Sequence, residues 1–472
     1  INTDLKINYN TKTTDWKFKG NIATEDVNLS KILNKSTDFN DIHLDVIFDG
    51  QKLAKTPLSG HVHGVISSFD YKQYEFDNII LDSKFSEENI NAELRYKDPS
   101  NGNIEILVDV EKSKDATYTM NLNGKIDTVC LAAMKIIDVF PTFKFSTNIQ
   151  SQFKLKDIND IEGYFALDSI SLYNDKIKMN PENIILFAEN TEDGKRIMLD
   201  SDFATMELEG QLNFNTLVNN IKYVISKELT NIPALKTEKK DFGNKFNIHA
   251  DIMPLSEYSY FFAQNMSIDD TTHINAFFDD QTDNIELNVY SNRIDLGNAS
   301  VDSLNIHLHN FTERINLNVD AISQNWIDTT EINVNTNIGN NNVNLNFSWE
   351  NSVEKEISGE IKTSINFNEV EENQNINLDC RLLPSTMILA DSLWHVREGN
   401  IHFNDNLLKV DSVRFDGPEQ HLRIDGISSK EREADLIHVS VKKIDLKYLS
   451  EVLYMPDIKL LGIVSGDVLA GN

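Results

Sequence analysis

Cysteine is scarce in this sequence, and long apolar runs are missing. Two cysteines, Cys130 and Cys380, are too few for a disulfide framework or a zinc knuckle. Cys130 lies in an apolar run typical of a core, and Cys380 alternates with apolar neighbours; a disulfide between the two stays open. The longest candidate for a membrane span, TVCLAAMKIIDVF, is interrupted by Lys135 and Asp138. It falls short of the roughly 18 apolar residues that such a span requires.

Positive charge is also in short supply. The chain has 74 acidic and 44 basic side chains, a formal net charge of -30. This excess repels a phosphate backbone, and we expect no nucleic-acid partner. An anionic membrane surface is a poor docking site as well, except through the chain ends or an apolar surface. The chain begins at Ile1 without the basic and apolar regions of a signal peptide, so we expect a processed product or a piece of a longer protein.

Alternation of apolar and polar residues is the dominant pattern. It predicts antiparallel strands with one dry face and one face in water, because strands buried on both faces would be almost continuously apolar. Turn-forming sequences separate many of the runs, such as KDPSNGN and IGNNNV, and predict a long meander of hairpins. The clearest alternating runs begin at Ile42, Phe143, Phe246, Ile315, Ile332 and Val343.

Short helices are predicted at five places, 29–33, 129–140, 217–229, 255–262 and 446–453. The first three follow a strand that contains a glycine: Gly20, Gly124 and Gly210. We interpret this succession as a loose repeat of several hairpins and one helical plug. No strict solenoid period is present.

The domain boundaries predicted from composition are soft. Residues 1–236 form β-groove repeats with plug helices, 237–383 continue the meander, and 384–472 form a C-terminal block of strands with a short helix. The first boundary is placed within the charged stretch ALKTEKKDFGNK, around Lys239. The second is placed at a change in composition near Pro384. One continuous elongated structure is expected.

The apolar strand faces need cover, and the sequence predicts too little helix to provide it. The sheet must therefore pack on itself as a sandwich, close into a barrel, or curl around something other than protein. A membrane barrel would need aromatic girdles at its strand ends, whereas Trp16, Phe145 and Phe347 lie within strands. A sandwich, as in surface adhesins, is the alternative that we keep. The preferred fold class is mainly β: a long antiparallel meander curled into an open, taco-like groove with an apolar interior and a few short helices.

Several stretches of the sequence resemble a known protein family. The strand with Gly-x-Ile followed by DVNLSKIL, the pairs YEFDNIILDSKF and VDSLNIHLHNF, and the closing run from LWHVREGNIHF to IKLLGIVSGDV are similar to TamB and AsmA-like proteins of Gram-negative envelopes. The composition, rich in Asn, Ile and Lys, resembles the Bacteroidetes-type members. The resemblance covers essentially the whole chain, through pattern rather than catalytic residues.

The resemblance implies a periplasmic bridge segment. Such proteins are anchored in the inner membrane, carry phospholipid along a hydrophobic β-groove toward the outer membrane, and support outer-membrane protein assembly with a TamA-like partner of the Omp85 type. The family's anchor and far C-terminal domain are not recognisable in this sequence, so we expect it to be a middle section of such a protein. The implied partners are phospholipid acyl chains and, through the full-length protein, the outer-membrane partner.

The physical argument is consistent with that implication. Each acyl methylene exposed to water costs about 0.8 kcal/mol, so lipid crossing an aqueous compartment needs continuous apolar cover and no catalytic group. The predicted lining is the dry strand face: Trp16, Phe18, Ile22, Ile42, Leu44, Val46, Phe48, Phe143, Phe145, Ile149, Phe153, Ile315, Leu317, Val319, Val343, Leu345, Phe347 and Trp349. For each of them, ordinary core packing is an equally open interpretation.

Motifs of catalysis and metal binding are missing or incomplete. The sequence has no phosphate-loop, HExxH, CxxC or GxSxG motif, so we predict a protein that is not an enzyme and needs no cofactor. His61 with His63, and His307 with His309, each share a strand face without a visible third ligand. The acidic turn Asp279–Asp283 lacks the spacing of a calcium loop. No metal site is predicted.

Overall fold

The fold is given by a computed structural model. It describes residues 2–25, 27–28, 38–53, 56, 58–72, 74–136, 143–174, 177–241, 243–255, 266–297, 299–311, 314–324, 329–351, 357–370, 375–389, 392–429, 436–446 and 461–471.

The chain divides into two compact units, Ile1–Glu207 and Leu208–Asn472. Both boundaries predicted from composition, at 236/237 and 383/384, lie inside unit 2, where they stay predictions. The charged stretch near Lys239 is bound to a helix in this unit, since Lys240 N–H donates to Asn220 Oδ1 at 3.0 Å.

Unit 1 is an antiparallel meander, and its described elements are mostly strands of eight to fourteen residues. They are β1 Asn2–Asn10, β2 Asp15–Ala23, β3 Val27–Asn28, β4 Phe39–Lys52, β5 Ser59–Tyr71, β6 Tyr74–Ser86, β7 Asn89–Asp98, β8 Gly102–Lys112, β9 Tyr118–Val129, β10 Lys144–Leu155, a 3₁₀ turn Ile158–Asp160, β11 Glu162–Tyr173, β12 Lys178–Met179, β13 Asn183–Thr191 and β14 Gly194–Ser201. Strand β15, Ala204–Gln211, spans the division between the units.

Unit 2 begins with a helix and continues as a second meander. Its elements are α1 Leu217–Ser226, a 3₁₀ turn Pro233–Leu235, β16 Lys245–Ile252, β17 Ser267–Ile268, β18 Thr272–Asp279, β19 Asn284–Leu296, β20 Ala299–His309, β21 Ile315–Gln324, β22 Thr330–Gly339, β23 Asn342–Asn351, β24 Ile357–Phe367, β25 Asn377–Leu383, β26 Ser385–Leu389, β27 Ser392–Val396, β28 Gly399–Asn404, β29 Leu407–Asp416, β30 His421–Ser429, β31 Leu436–Asp445 and β32 Ile463–Gly471.

The predicted meander is confirmed, and so is the mainly β fold class. The predicted turns join β7 to β8 and β22 to β23 in antiparallel hairpins. Pro384, near a predicted boundary, separates β25 from β26 because it has no N–H to donate. The sheet still continues across it, since β24 pairs with both short strands.

The predicted helices have mixed outcomes. The helix at 217–229 is confirmed as α1, whose apolar residues repeat every three to four positions. The prediction at 129–140 is wrong in its described part, because Val129 ends β9 and only one helical turn follows. That turn closes when Lys135 adopts φ +58° and Ile136 N–H bonds to Leu131 O at 2.9 Å, as in a Schellman motif. The other three predictions fall largely or wholly on residues outside those that the structure describes.

A recurrent β-bulge interrupts the alternation in both units. In the segments IDTV, LDSI, VDSL and VDSV the third residue has positive φ, between +51° and +61°, and strand register shifts there. In three of them the hydroxyl donates to the preceding Asp, as Thr128 does to Asp127 at 2.9 Å. The bulge returns the next apolar residue to the face it would otherwise leave. It also adds twist, and in each unit the sheet is curled into an open groove with an apolar interior.

Candidate functional site

Register joins the apolar residues of unit 1 into continuous rows. One row crosses twelve strands without leaving the apolar face. Its members, in order of pairing, are Ile7, Phe18, Gly50, Gly60, Phe85, Ile90, Val110, Met120, Phe153, Gly163, Ala188 and Ile197. A continuous row means that an apolar ligand can meet the same chemistry at every strand.

Unit 2 has the same organisation. A row of eight paired residues runs from β16 to β24 along its apolar face. It consists of Ala250, Ile274, Val289, Ile306, Val319, Val334, Phe347 and Ile361. Within each unit every described strand belongs to one hydrogen-bonded sheet, so no separate second sheet is available among the described residues to make a sandwich.

The residues predicted as lining fall into two sets, one per unit. In unit 1, the three from β2, the four from β4 and the three from β10 share the apolar face, and Phe143 directly precedes β10. In unit 2, the three from β21 and the four from β23 share one face, because Ile315, Leu317 and Val319 connect through β22 to Val343, Leu345 and Phe347.

Solvent exposure separates the predicted lining residues into those buried in the core and those accessible to a ligand. Trp16 is 48% exposed, although it lies on an apolar face. In contrast, Phe143, Ile315 and Trp349 are at least nine-tenths buried, so their side chains pack in the protein core and offer little surface to a ligand. The remaining fifteen, Trp16 among them, are half-buried or exposed and form the accessible part of the predicted site.

Glycines on the apolar face make room for aromatic rings. A Cβ atom on Gly50 would lie 2.4 Å from Phe18 Cζ, and one on Gly20 would lie 2.8 Å from Phe48 Cζ. The rings therefore lie across the glycines of the neighbouring strand. The sequence identifies Gly20 as part of a strand that precedes a helix, and the ring that lies across it is a finding of the structure.

The variant Gly50→Ala should destabilise unit 1 by about 1–3 kcal/mol, because the new methyl overlaps the Phe18 ring and lies 2.7 Å from Ser59 O. Gly124→Ala is the matched control on the same face, where the nearest atom is 3.3 Å away. Urea denaturation of both variants measures the difference. Equal stabilities would show that the Phe18 ring does not depend on Gly50.

A polar cluster closes one end of the unit 1 face. Tyr74 and Tyr96 hydroxyls donate to Asp98 Oδ2 at 2.6 and 3.1 Å, and Asn101 adds its side-chain and main-chain N–H groups. Burial alone would raise the Asp98 pKa, but the hydrogen bonds from Tyr74, Ser100 and Asn101 outweigh it and lower the pKa to about 2. Burial and the Asp98 hydrogen bond raise the pKa of Tyr74.

The Asp98 carboxylate should make unit 1 sensitive to acid. Its pKa is lower in the folded chain than the ordinary 3.8, so the stabilisation is present above pH 4 and is lost as pH falls through about 2. The shift corresponds to about 2 kcal/mol at neutral pH. Asp98→Asn should remove this part of the pH dependence, whereas Asp200→Asn, an exposed control, should retain it. Unfolding free energies between pH 7 and pH 2 provide the test, and parallel curves for wild type and Asp98→Asn would contradict it.

Helix α1 covers one end of the unit 2 sheet. Asn220 on the helix donates to Asp280 Oδ2 at 2.9 Å, in the turn between β18 and β19. The segment after the helix is fixed to the β22–β23 turn, where Asn231 N–H donates to Asn341 Oδ1 at 2.8 Å. Lys227 is paired with Asp283 at 3.5 Å. This is the predicted plug position: a short helix at the end of an apolar strand face.

The opposite face of both sheets is polar. On β21 to β23 it is an amide ladder, in which Asn337 donates to Asn316 at 2.7 Å. The two His-x-His pairs lie on this polar face, with ring centroids 4.7 and 4.8 Å apart. Within the described part of the chain, no three His, Cys, Asp or Glu side chains are arranged to hold a metal ion.

Both cysteines are free thiols. Cys130 is buried, and burial raises the pKa of Cys380, which lies on the apolar face between Ile365 and Ile401. Among the helices that the structure describes, none has the length and apolar character needed to cross a membrane.

Known proteins provide no further guide to the site. No protein-family model matches the chain, and comparisons with curated proteins and with solved structures give no match.

Proposed function

We propose that the chain is a segment of a periplasmic bridge that carries phospholipid between the inner and outer membranes. The main support for this proposal is the continuous apolar face that strand register forms in each unit. Much of this face is only half-buried. Exposed apolar area of this extent costs free energy in water unless a ligand covers it. Acyl chains provide such cover without directional bonds.

The resemblance to TamB and AsmA-like proteins extends the proposal. It assigns the chain to an inner-membrane-anchored envelope protein and leaves contact with a TamA-like outer-membrane partner to the full-length protein. Support for outer-membrane protein assembly belongs to the same proposal, since an apolar groove also accepts unfolded apolar strands. Neither activity requires a catalytic residue.

Site-specific photocrosslinking tests the proposal directly. A benzoylphenylalanine at position 48 replaces Phe48 on the apolar face, and the same group at position 47 replaces Ile47, an apolar residue on the polar face. We expect phospholipid adducts at position 48 and few at position 47 when the proteins are irradiated in cells and examined by mass spectrometry. Equal adducts at the two positions, or none at position 48 in folded protein, would overturn the proposed function.

A further inference from the structure

Charge is distributed unevenly along the strands of the unit 1 apolar face. Four charged residues occupy apolar-face positions in the described strands of this unit: Lys52, Lys112, Lys195 and Asp98. The three lysines all lie toward the same end, where β1–β2, β4–β5, β8–β9 and β13–β14 turn. The single carboxylate lies at the opposite end. We call these ends the lysine rim and the tyrosine rim.

The lysine rim combines ammonium groups with amphipathic aromatic rings. Lys52 pairs with Trp16, and the Tyr9 ring contacts the Trp16 ring in a tilted arrangement with centroids 4.9 Å apart. Lys112 Nζ lies 5.5 Å from the centroid of the Tyr118 ring. Lys52 and Lys112 are exposed, and neither makes an ion pair with another described residue. Tyr, Trp and Lys together are the side chains that occupy the headgroup level of membranes.

Lys195 has a different role at the same rim. It is 3% exposed, and its ammonium donates to Ile161 O at 2.8 Å and Asn190 Oδ1 at 2.7 Å. Burial lowers its pKa, while the nearby carboxylate of Asp160 opposes that shift. Its hydrogen bonds therefore fix the rim's structure and leave Lys52 and Lys112 to meet a ligand.

The tyrosine rim is closed to a charged headgroup. Ile79, Tyr96, Val129 and Met134 form a buried cluster there, which the helical turn after β9 covers. The Asp98 carboxylate accepts five hydrogen bonds from its neighbours, so it lacks a free site for a ligand cation. A phosphate would be repelled by this carboxylate.

Dimensions allow a lipid to lie along the strands. On β8 the apolar-face residues from Ile104 to Val110 span about 20 Å at roughly 3.4 Å per residue, and Lys112 follows. The hydrocarbon of one leaflet is about 15 Å deep, half of a bilayer core. An acyl chain can therefore extend from the lysine rim toward the tyrosine rim without leaving the apolar face.

We propose that unit 1 binds phospholipid in one orientation, with the phosphates of separate lipids at Lys52 and at Lys112 and the acyl chains running along the strands toward the tyrosine rim. The inference rests on the proposed function and adds the direction in which the bound lipid lies. Lys52 on β4 and Lys112 on β8 are separated by three strands, so lipids at these two positions would lie side by side across the sheet with their headgroups on one edge.

Two photoactivatable phosphatidylglycerols test this orientation with the purified full chain. One carries a diazirine next to the glycerol, and the other carries it at the acyl terminus. We expect the first to label peptides with Trp16 and Tyr118, and the second to label peptides with Phe76 and Ile104. If both probes label both rims equally, or in reverse, the orientation is overturned while lipid binding stands. If neither probe labels the apolar face, the proposed function fails as well.

The lysines provide an independent test. The double variant Lys52→Gln/Lys112→Gln should retain about tenfold less phosphatidylglycerol, because two phosphate-facing charges are lost. Lys17→Gln/Lys84→Gln removes the same charge from the polar face and serves as the matched control. Equal retention by the two double variants, with both folded by circular dichroism, would overturn the role of the lysine rim.

Discussion

Replacing Asp280 with alanine should lower the free energy of unfolding of unit 2 by about 3–5 kcal/mol. The carboxylate is fully buried. It accepts hydrogen bonds from the Asn220 side chain at 2.9 Å, the Asn244 side chain at 2.8 Å and main-chain N–H at 3.1 Å, and the Gly243 N–H at 3.3 Å. Alanine would leave these donors buried without an acceptor.

The loss of stability should first affect the contact between α1 and the sheet. Asn220 belongs to α1, so the Asp280→Ala variant should release the helix from the sheet and expose residues 217–244 to protease. Urea denaturation gives the free energy, and limited proteolysis with mass spectrometry gives the site of cleavage. Glu331→Ala, which removes an exposed carboxylate from β22, should change stability by less than about 1 kcal/mol. Equal losses for the two variants would contradict the importance of the buried carboxylate.

The strands were predictable because their signal is local. Alternation over seven or more residues, as from Ile315 or Val343, leaves one arrangement that hides every apolar side chain. The same period also placed the predicted lining residues on shared faces, since register follows once the hairpin turns are known. The apolar face is thus a property that the amino-acid order specifies almost directly.

The bulges were missed although they also leave a local signal. In IDTV, LDSI, VDSL and VDSV two apolar residues are three positions apart, which breaks a period of two and suggests that one of them leaves the face. The short polar residue in between tolerates positive φ, and in three cases its hydroxyl bonds to the preceding Asp. A search for this four-residue pattern would have located these four register shifts, although not those in β4–β5 and β31–β32.

Other features depend on contacts between distant residues. The apolar run after Thr128 predicts a helix by periodicity, yet its first residue completes β9, and Lys135 ends the helical turn. The lysine rim is invisible in the sequence for a related reason. Lys52 and Lys112 are sixty positions apart, and only strand order and direction place them at the same end of a face.

A charge on the apolar face of unit 2 should abolish phospholipid retention, whereas the same charge one residue away should not. Phe347→Asp places a carboxylate in the row that Val334 and Ile361 share with Phe347. An Asp side chain facing hydrocarbon costs about 2.5–3.5 kcal/mol on the scale measured for membrane helices, so we expect at least a tenfold loss of bound lipid. Asn346→Asp adds the identical charge to the polar face and should retain lipid normally.

The comparison separates lipid contact from core packing, the two interpretations that remained open for each lining residue. Phe347 is half-buried, so Phe347→Asp should leave unit 2 folded, and circular dichroism with urea denaturation establishes how much folded protein each sample contains. Retained phospholipid is then measured per folded molecule by extraction and mass spectrometry. Lower stability with unchanged lipid would assign Phe347 to packing alone and contradict the lipid-carrying face. Loss of lipid from folded Phe347→Asp, with normal retention in Asn346→Asp, supports contact between the acyl chains and this row, because both variants add one carboxylate to β23 and only Phe347→Asp adds it to the apolar face.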